Sequence, residues 1–83
     1  MKITVKYFAS IREAIGQGSE VRDTSATTLA GLRDELLAAS SAHTAALARG
    51  KSVRMALNQV MSDESAVLSE GCEVAFFPPV TGG

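Results

Sequence analysis

Ile3, Val5 and Tyr7 alternate with Lys2, Thr4 and Lys6, the period-2 pattern of a strand with one buried face. The same alternation returns late in the chain in CEVAFF, where Cys72, Val74 and Phe76 share one face and Ala75 and Phe77 the other. Between them stands one clear helical pattern. Thr28 offers a hydroxyl to cap LAGLRDELLAAS, and Leu29, Leu32 and Leu36 recur along one side of it. One-sided strands and a one-sided helix in a chain of 83 residues must hide their apolar faces against each other.

The intervening segments complete the order. SIREAIGQG reads as a turn allowed by Gly16 and Gly18, and SEVRDT as a second strand polar enough for a sheet edge. Gly31 inside the helix costs up to ~1 kcal/mol relative to alanine, which implies close packing on the sheet. SSAHTAALARG adds a short second helix ending at Gly50. Val53, Met55 and Leu57 form a third alternating run, NQ supplies turn chemistry, and Val60 and Met61 make a very short strand. DESAVLSEG reads as a helical turn closed by Gly71, and Pro78 ends the last strand because it has no N–H for the ladder. Strand, strand, helix, strand, short strand, strand describes an α+β roll with one face of a mixed sheet covered. That order matches the ubiquitin-like β-grasp, although other small α+β domains share it. The expected division is a domain over residues 1–77 and an extended tail over 78–83.

Composition excludes several classes of function. A net charge of −1 gives no basic footprint for nucleic acid. The hydrophobic fraction of 46% is enough for a core and argues against disorder. A single Cys72 forms no internal disulfide, which fits a reducing compartment. MKITVKYF lacks the apolar core of a secretory signal, and no apolar run reaches membrane-spanning length. The expected location is cytoplasmic.

Reactive side chains are scarce. His43 has no suitably spaced partner and reads as solvated; Cys72 reads as a small buried hydrophobe. Arg12 with Glu13, and Asp34 with Glu35, read as exposed charges. No phosphate loop or zinc spacing is present, so neither a cofactor nor a metal is expected. What remains is FFPPVTGG. Pro78 and Pro79 favour polyproline II, which stiffens the base of an arm reaching roughly 20 Å from Phe77 to Gly83. Gly82 and Gly83 lack Cβ, so their backbone fits a channel too narrow for side chains. The terminal carboxylate, with a pKa of ~3.3–3.7, is ionised and needs activation from outside to react.

VAFFPPVTGG closely resembles the terminus of the small subunits of molybdopterin synthase, the sulfur carriers of molybdenum cofactor biosynthesis. YFASIREAIG at residues 7–16, ALNQ at 56–59 and LSEGCEVAFFPP at 68–79 are similar to the family's equivalents, so the likeness covers nearly the whole chain. Cys72 departs from a position that is often acidic in that family. The resemblance implies that an E1-like adenylyltransferase consumes ATP to adenylate Gly83. A persulfide donor then supplies sulfur, leaving a C-terminal thiocarboxylate. The tail docks into the large synthase subunit, in an expected assembly of two small and two large subunits, and delivers sulfur to cyclic pyranopterin monophosphate. By strand parity Phe77 faces outward, and Phe8 lies on the parity opposite Ile3, Val5 and Tyr7, so both mark a partner surface. By matching position Met61 joins them, with Pro78, Pro79, Val80 and Thr81 leading to Gly82 and Gly83. Two rivals share fold and diglycine: the sulfur carrier of thiazole synthesis, which typically lacks FFPP, and a ubiquitin-like modifier, although ubiquitin's own tail carries arginines.

Overall fold

In the computed structural model, which describes residues 1–79, the chain runs β1 (Lys2–Tyr7), α1 (Ala9–Ile15), β2 (Ser19–Asp23), α2 (Leu29–Leu37), α3 (Ser41–Leu47), β3 (Arg54–Leu57), β4 (Val60–Ser62) and β5 (Glu73–Phe77). The strands form one mixed sheet in the order β2-β1-β5-β3-β4. β1 and β2 pair antiparallel from Lys2↔Asp23 to Lys6↔Ser19, while β1 and β5 run parallel from Thr4↔Glu73 to Tyr7↔Phe76. With α2 crossing one face, this is the ubiquitin-like β-grasp that the element order predicts.

The apolar parity of the strands decides where the core sits. Ile3, Val5, Tyr7, Val74 and Phe76 point to the helical side and are essentially inaccessible. Leu29, Leu32 and Leu36 of α2 cover them, joined by Ile11 of α1 and Leu47 of α3. Burying a side chain of this size contributes ~1.5–3 kcal/mol, so these few residues supply most of what holds so small a domain together. Cys72 is buried in the same cluster.

Capping sets the helix boundaries. Thr28 Oγ1 accepts a hydrogen bond from the Gly31 N–H at 3.2 Å, and Ser40 Oγ accepts from the His43 N–H at 3.1 Å. A Cβ on Gly31 would lie 3.3 Å from the Ala26 Cβ, so the close approach is to the loop before α2 and not to the sheet. Asn58 and Gln59 both adopt positive φ, 50° and 68°, and link the paired Leu57 and Val60 as a tight hairpin.

Two segments differ from the sequence expectation. SIREAIGQG does more than turn, because Ala9–Ile15 is helical. Gly16, at φ 91°, closes this helix by donating its N–H to the Arg12 carbonyl at 2.8 Å. DESAVLSEG is not helical. Its carbonyls serve another element: Glu64 and Ala66 accept the Ala30 and Leu29 N–H groups, both at 3.0 Å. These are orphan donors of the first turn of α2, and the segment meets them through a turn at Glu64–Ser65 that the Ala66 N–H closes by donating to the Asp63 carbonyl at 3.1 Å.

Candidate functional site

Parallel pairing of β1 with β5 makes both strands leave the sheet at one end. Tyr7↔Phe76 is the last pair in register, so Phe8 and Phe77 follow it side by side. The Phe8 N–H donates to the Phe76 carbonyl at 3.1 Å, which holds the backbone there while Phe8 turns into the first residue before α1. Phe8 is 47% exposed and Phe77 half-buried. Their ring centroids lie 6.2 Å apart with planes at 79°. Such an edge-to-face pair contributes ~0.5–1.5 kcal/mol beyond area burial. Phe76, one residue earlier, turns inward and stacks on Tyr7 at 6.3 Å.

Register extends this aromatic pair into a surface. Lys6, Ala75, Ala56 and Met61 lie in one row across four strands on the face away from the helices. Ala75 and Ala56 are covered, yet neither belongs to the core cluster. They form a shallow floor between taller neighbours: Phe77 one step along β5 and Met61, 55% exposed, on the edge strand. Arg54 pairs with Phe77 in register, and Lys6 meets Glu73 at 3.4 Å, so charge borders an apolar centre. An exposed apolar patch with a polar rim is the build of a protein-binding surface. The structure thus brings Phe8, Met61 and Phe77 to one face, with half-buried Pro78 and Pro79 continuing from it. Beyond those prolines, towards α1 and α3, an open groove of about 410 Å³ flanks the base of the tail. Val80, Thr81, Gly82 and Gly83 lie outside the described residues.

The polar residues that sequence reasoning set aside form a network elsewhere. His43 is buried, not solvated. Its Nε2 lies 3.2 Å from Glu20 Oε2 and its Nδ1 2.7 Å from Ser40 Oγ. The same Glu20 oxygen accepts from the Tyr7 hydroxyl at 2.9 Å and from Gln17 at 3.0 Å, while Arg22 donates to the other oxygen at 3.0 Å. Burial by itself would raise the Glu20 carboxyl, but donation from Tyr7, His43 and Arg22 outweighs it and holds the group below the ordinary carboxylate range. Burial first, and then the adjacent Glu20, push the Tyr7 hydroxyl well above its ordinary value. This network closes the helical side of the sheet near β2, so it is structural. Its sequence signal was Glu20 itself, a carboxylate opposite inward-facing Val5.

Arg33 was also missed: it is buried in α2 and donates to the Leu47 and Ala48 carbonyls at 2.8 and 3.0 Å. Glu35, expected to be exposed, is half-buried and accepts from the Thr24 hydroxyl. Among the described residues no cluster of His, Cys, Asp or Glu could hold a metal ion, and no helix is long and apolar enough to cross a membrane.

The chain is 40% identical over 81 residues to the molybdopterin synthase sulfur carrier subunit of Escherichia coli, covering 98% of this chain and 99% of that one. Its structure resembles that of SAMP1 from Haloferax volcanii, with a TM-score of 0.79, 25% identity and full coverage of both chains. It also resembles a chain in the complex of subunits 1 and 2 of the molybdopterin-converting factor from Helicobacter pylori, with a TM-score of 0.72, 25% identity and full coverage of both. The sequence model of the ThiS family matches residues 5–83, nearly the whole length, and the chain belongs to that family.

Proposed function

We propose that this chain is the sulfur-carrier subunit of a molybdopterin synthase, supplying the reacting group while its partner supplies catalytic side chains. The observation that carries this reading is the apolar face of Phe8, Phe77 and Met61 at the point where the chain leaves the sheet for Gly82 and Gly83. The described residues hold no nucleophile–base pair beside that face. A docking surface joined to a side-chain-free terminus suits delivery of a group into another protein's site. The likeness to sulfur carrier subunits and to a chain from a two-subunit complex supports the same reading.

In this mechanism the Gly83 carboxylate attacks the α-phosphorus of ATP on an E1-like enzyme, releasing pyrophosphate and forming an acyl-adenylate. The terminal sulfur of a persulfide attacks that carbonyl and expels AMP. A thiol then cleaves the resulting acyl disulfide, leaving the thiocarboxylate and a new disulfide. In the large subunit the thiocarboxylate sulfur forms a C–S bond to a side-chain carbon of cyclic pyranopterin monophosphate as that carbon's oxygen substituent leaves, and water then cleaves the acyl–sulfur bond, returning the Gly83 carboxylate. Sulfur remains on the product. The reactions take place in the cytoplasm, where ATP and thiols are at hand.

The test is the intact mass of the chain after incubation with an activating enzyme, ATP and a persulfide donor. Replacement of one oxygen by sulfur is expected, followed by its loss when large subunit and pterin precursor are added. An unchanged mass would refute the carrier role. The likeness to SAMP1 favours a second reading as a protein modifier. It predicts isopeptide conjugates to lysines in place of the oxygen-to-sulfur change. Appending one residue after Gly83 should abolish loading in either case without altering the melting temperature, because the attacked carbonyl is displaced from the activating site.

A further inference from the structure

We infer that the groove between α1 and α3 is a second docking surface, and that it receives an apolar segment bearing a carboxylate from the large subunit that takes up the tail. This inference rests on the carrier reading. Its structural basis is the position of Pro78 and Pro79, which form one wall of the groove and also continue the strand end occupied by Phe77. The base of the tail therefore has apolar surface on both sides. Phe8 and Phe77 lie on one, and Ile11, Ala14, Ala45 and Val53 on the other. The two surfaces are continuous through Phe8, which immediately precedes α1.

A partner that binds the tail as an extended strand must surround its base, since two successive prolines without N–H groups cannot prolong the β5 ladder. Contacting only the aromatic side would leave the groove open and hydrated beside the reacting tail. The groove volume of about 410 Å³ falls in the range of sites that take a few side chains. Its charge selects the occupant. Lys51 is the groove's cation among the described residues, is exposed, and makes no ion pair with them. An acidic side chain on an otherwise apolar segment completes it. Small Ala14 and Ala45, both exposed, keep the groove open, which core packing does not require of them.

The test titrates the full chain and three variants against the cognate large subunit by calorimetry at low and moderate salt. Ala45→Arg fills the groove without reversing its charge, and Lys51→Glu reverses the charge without filling it. Each should weaken binding roughly tenfold, while Lys51→Arg should stay within about threefold of native. The loss in Lys51→Glu should shrink as salt rises. Melting temperatures should stay close to native, since both positions are exposed; Ala14→Arg repeats the test from the opposite wall if Ala45→Arg unfolds. Native affinity in the groove-filling and charge-reversed variants would overturn the inference while leaving the carrier reading intact. Absence of binding by the native chain would instead overturn that reading, and this inference with it. Two other occupants give distinct results, each of which refutes the proposal. Groove amide resonances that shift when the chain is cut after Pro79 would mean its own tail fills the groove. A native dimer in sedimentation that Ala45→Arg dissociates would mean a second copy does.

Discussion

Phe8 and Phe77 meet edge to face at 6.2 Å although they belong to opposite ends of the sequence. Parallel β1–β5 pairing is what makes this possible, because it delivers two strand ends, and with them two aromatics, to one edge of the molecule. Each ring covers part of the other, yet Phe8 is still half exposed to water. The pair thus presents an apolar surface where β5 ends.

Phe77→Ala separates anchor from core. Phe77 is outside the core cluster, and its loss removes one edge-to-face contact worth ~0.5–1.5 kcal/mol, a fall in melting temperature of about 2–12 °C. Affinity for the large subunit should drop at least roughly tenfold. Phe76→Ala, by contrast, empties a fully buried site and should cost about 3–5 kcal/mol. Calorimetric melting and titration of both variants decide the matter. Equal destabilisation of the two would show that Phe77 is a packing residue.

Arg33→Met should reveal what a buried guanidinium does in a fold without buried catalysis. The arginine ties α2 to the end of α3 by donating to the Leu47 carbonyl, which the helix terminus leaves open, and to the Ala48 carbonyl, which also accepts from the Lys51 N–H at 2.9 Å. Methionine keeps most of the apolar stem and removes the donors. The expected loss is about 2 kcal/mol, read as a lower urea midpoint at unchanged slope. An unchanged midpoint would mean that water satisfies those carbonyls equally well.

Legibility in the sequence followed the range of the interactions. The faces of β1 and β5, the α2 stripe and the outward turn of Phe77 depend on periodicity within a few residues, and all could be read directly. α1 was hidden because Phe8 caps it with backbone only and no side-chain hydrogen bond marks its start. Gly16, seen as a turn residue, is the left-handed end of that helix. His43 looked solvated because its neighbours are polar or small; its burial depends on Glu20, 23 positions away. DESAVLSEG looked helical because its local composition allows it, whereas the N–H groups of α2 that take up its carbonyls are remote in sequence. The outer face needed register as well as parity, since nothing local places Met61 beside Ala56 and Ala75.

Glu20 makes acid stability a direct test of the buried network. Its carboxyl is held below its reference value of 4.5 in the folded protein, so the unfolded chain binds that proton more readily. Its charge-dependent stabilisation is therefore complete above about pH 4.5 and disappears as pH falls through the depressed native value. In Glu20→Gln the amide still accepts from Tyr7 but offers His43 and Arg22 no negative charge. The variant should be less stable than the native chain at pH 7, by about 1–3 kcal/mol. It should also show a shallower decline between pH 4.5 and 3, so that the two stability curves draw together in acid. Urea denaturation at intervals from pH 7 to 3 measures both. Curves that run parallel over the whole range would show that Glu20 titrates alike in the folded and unfolded chain, and that its donors act by shape and not by charge.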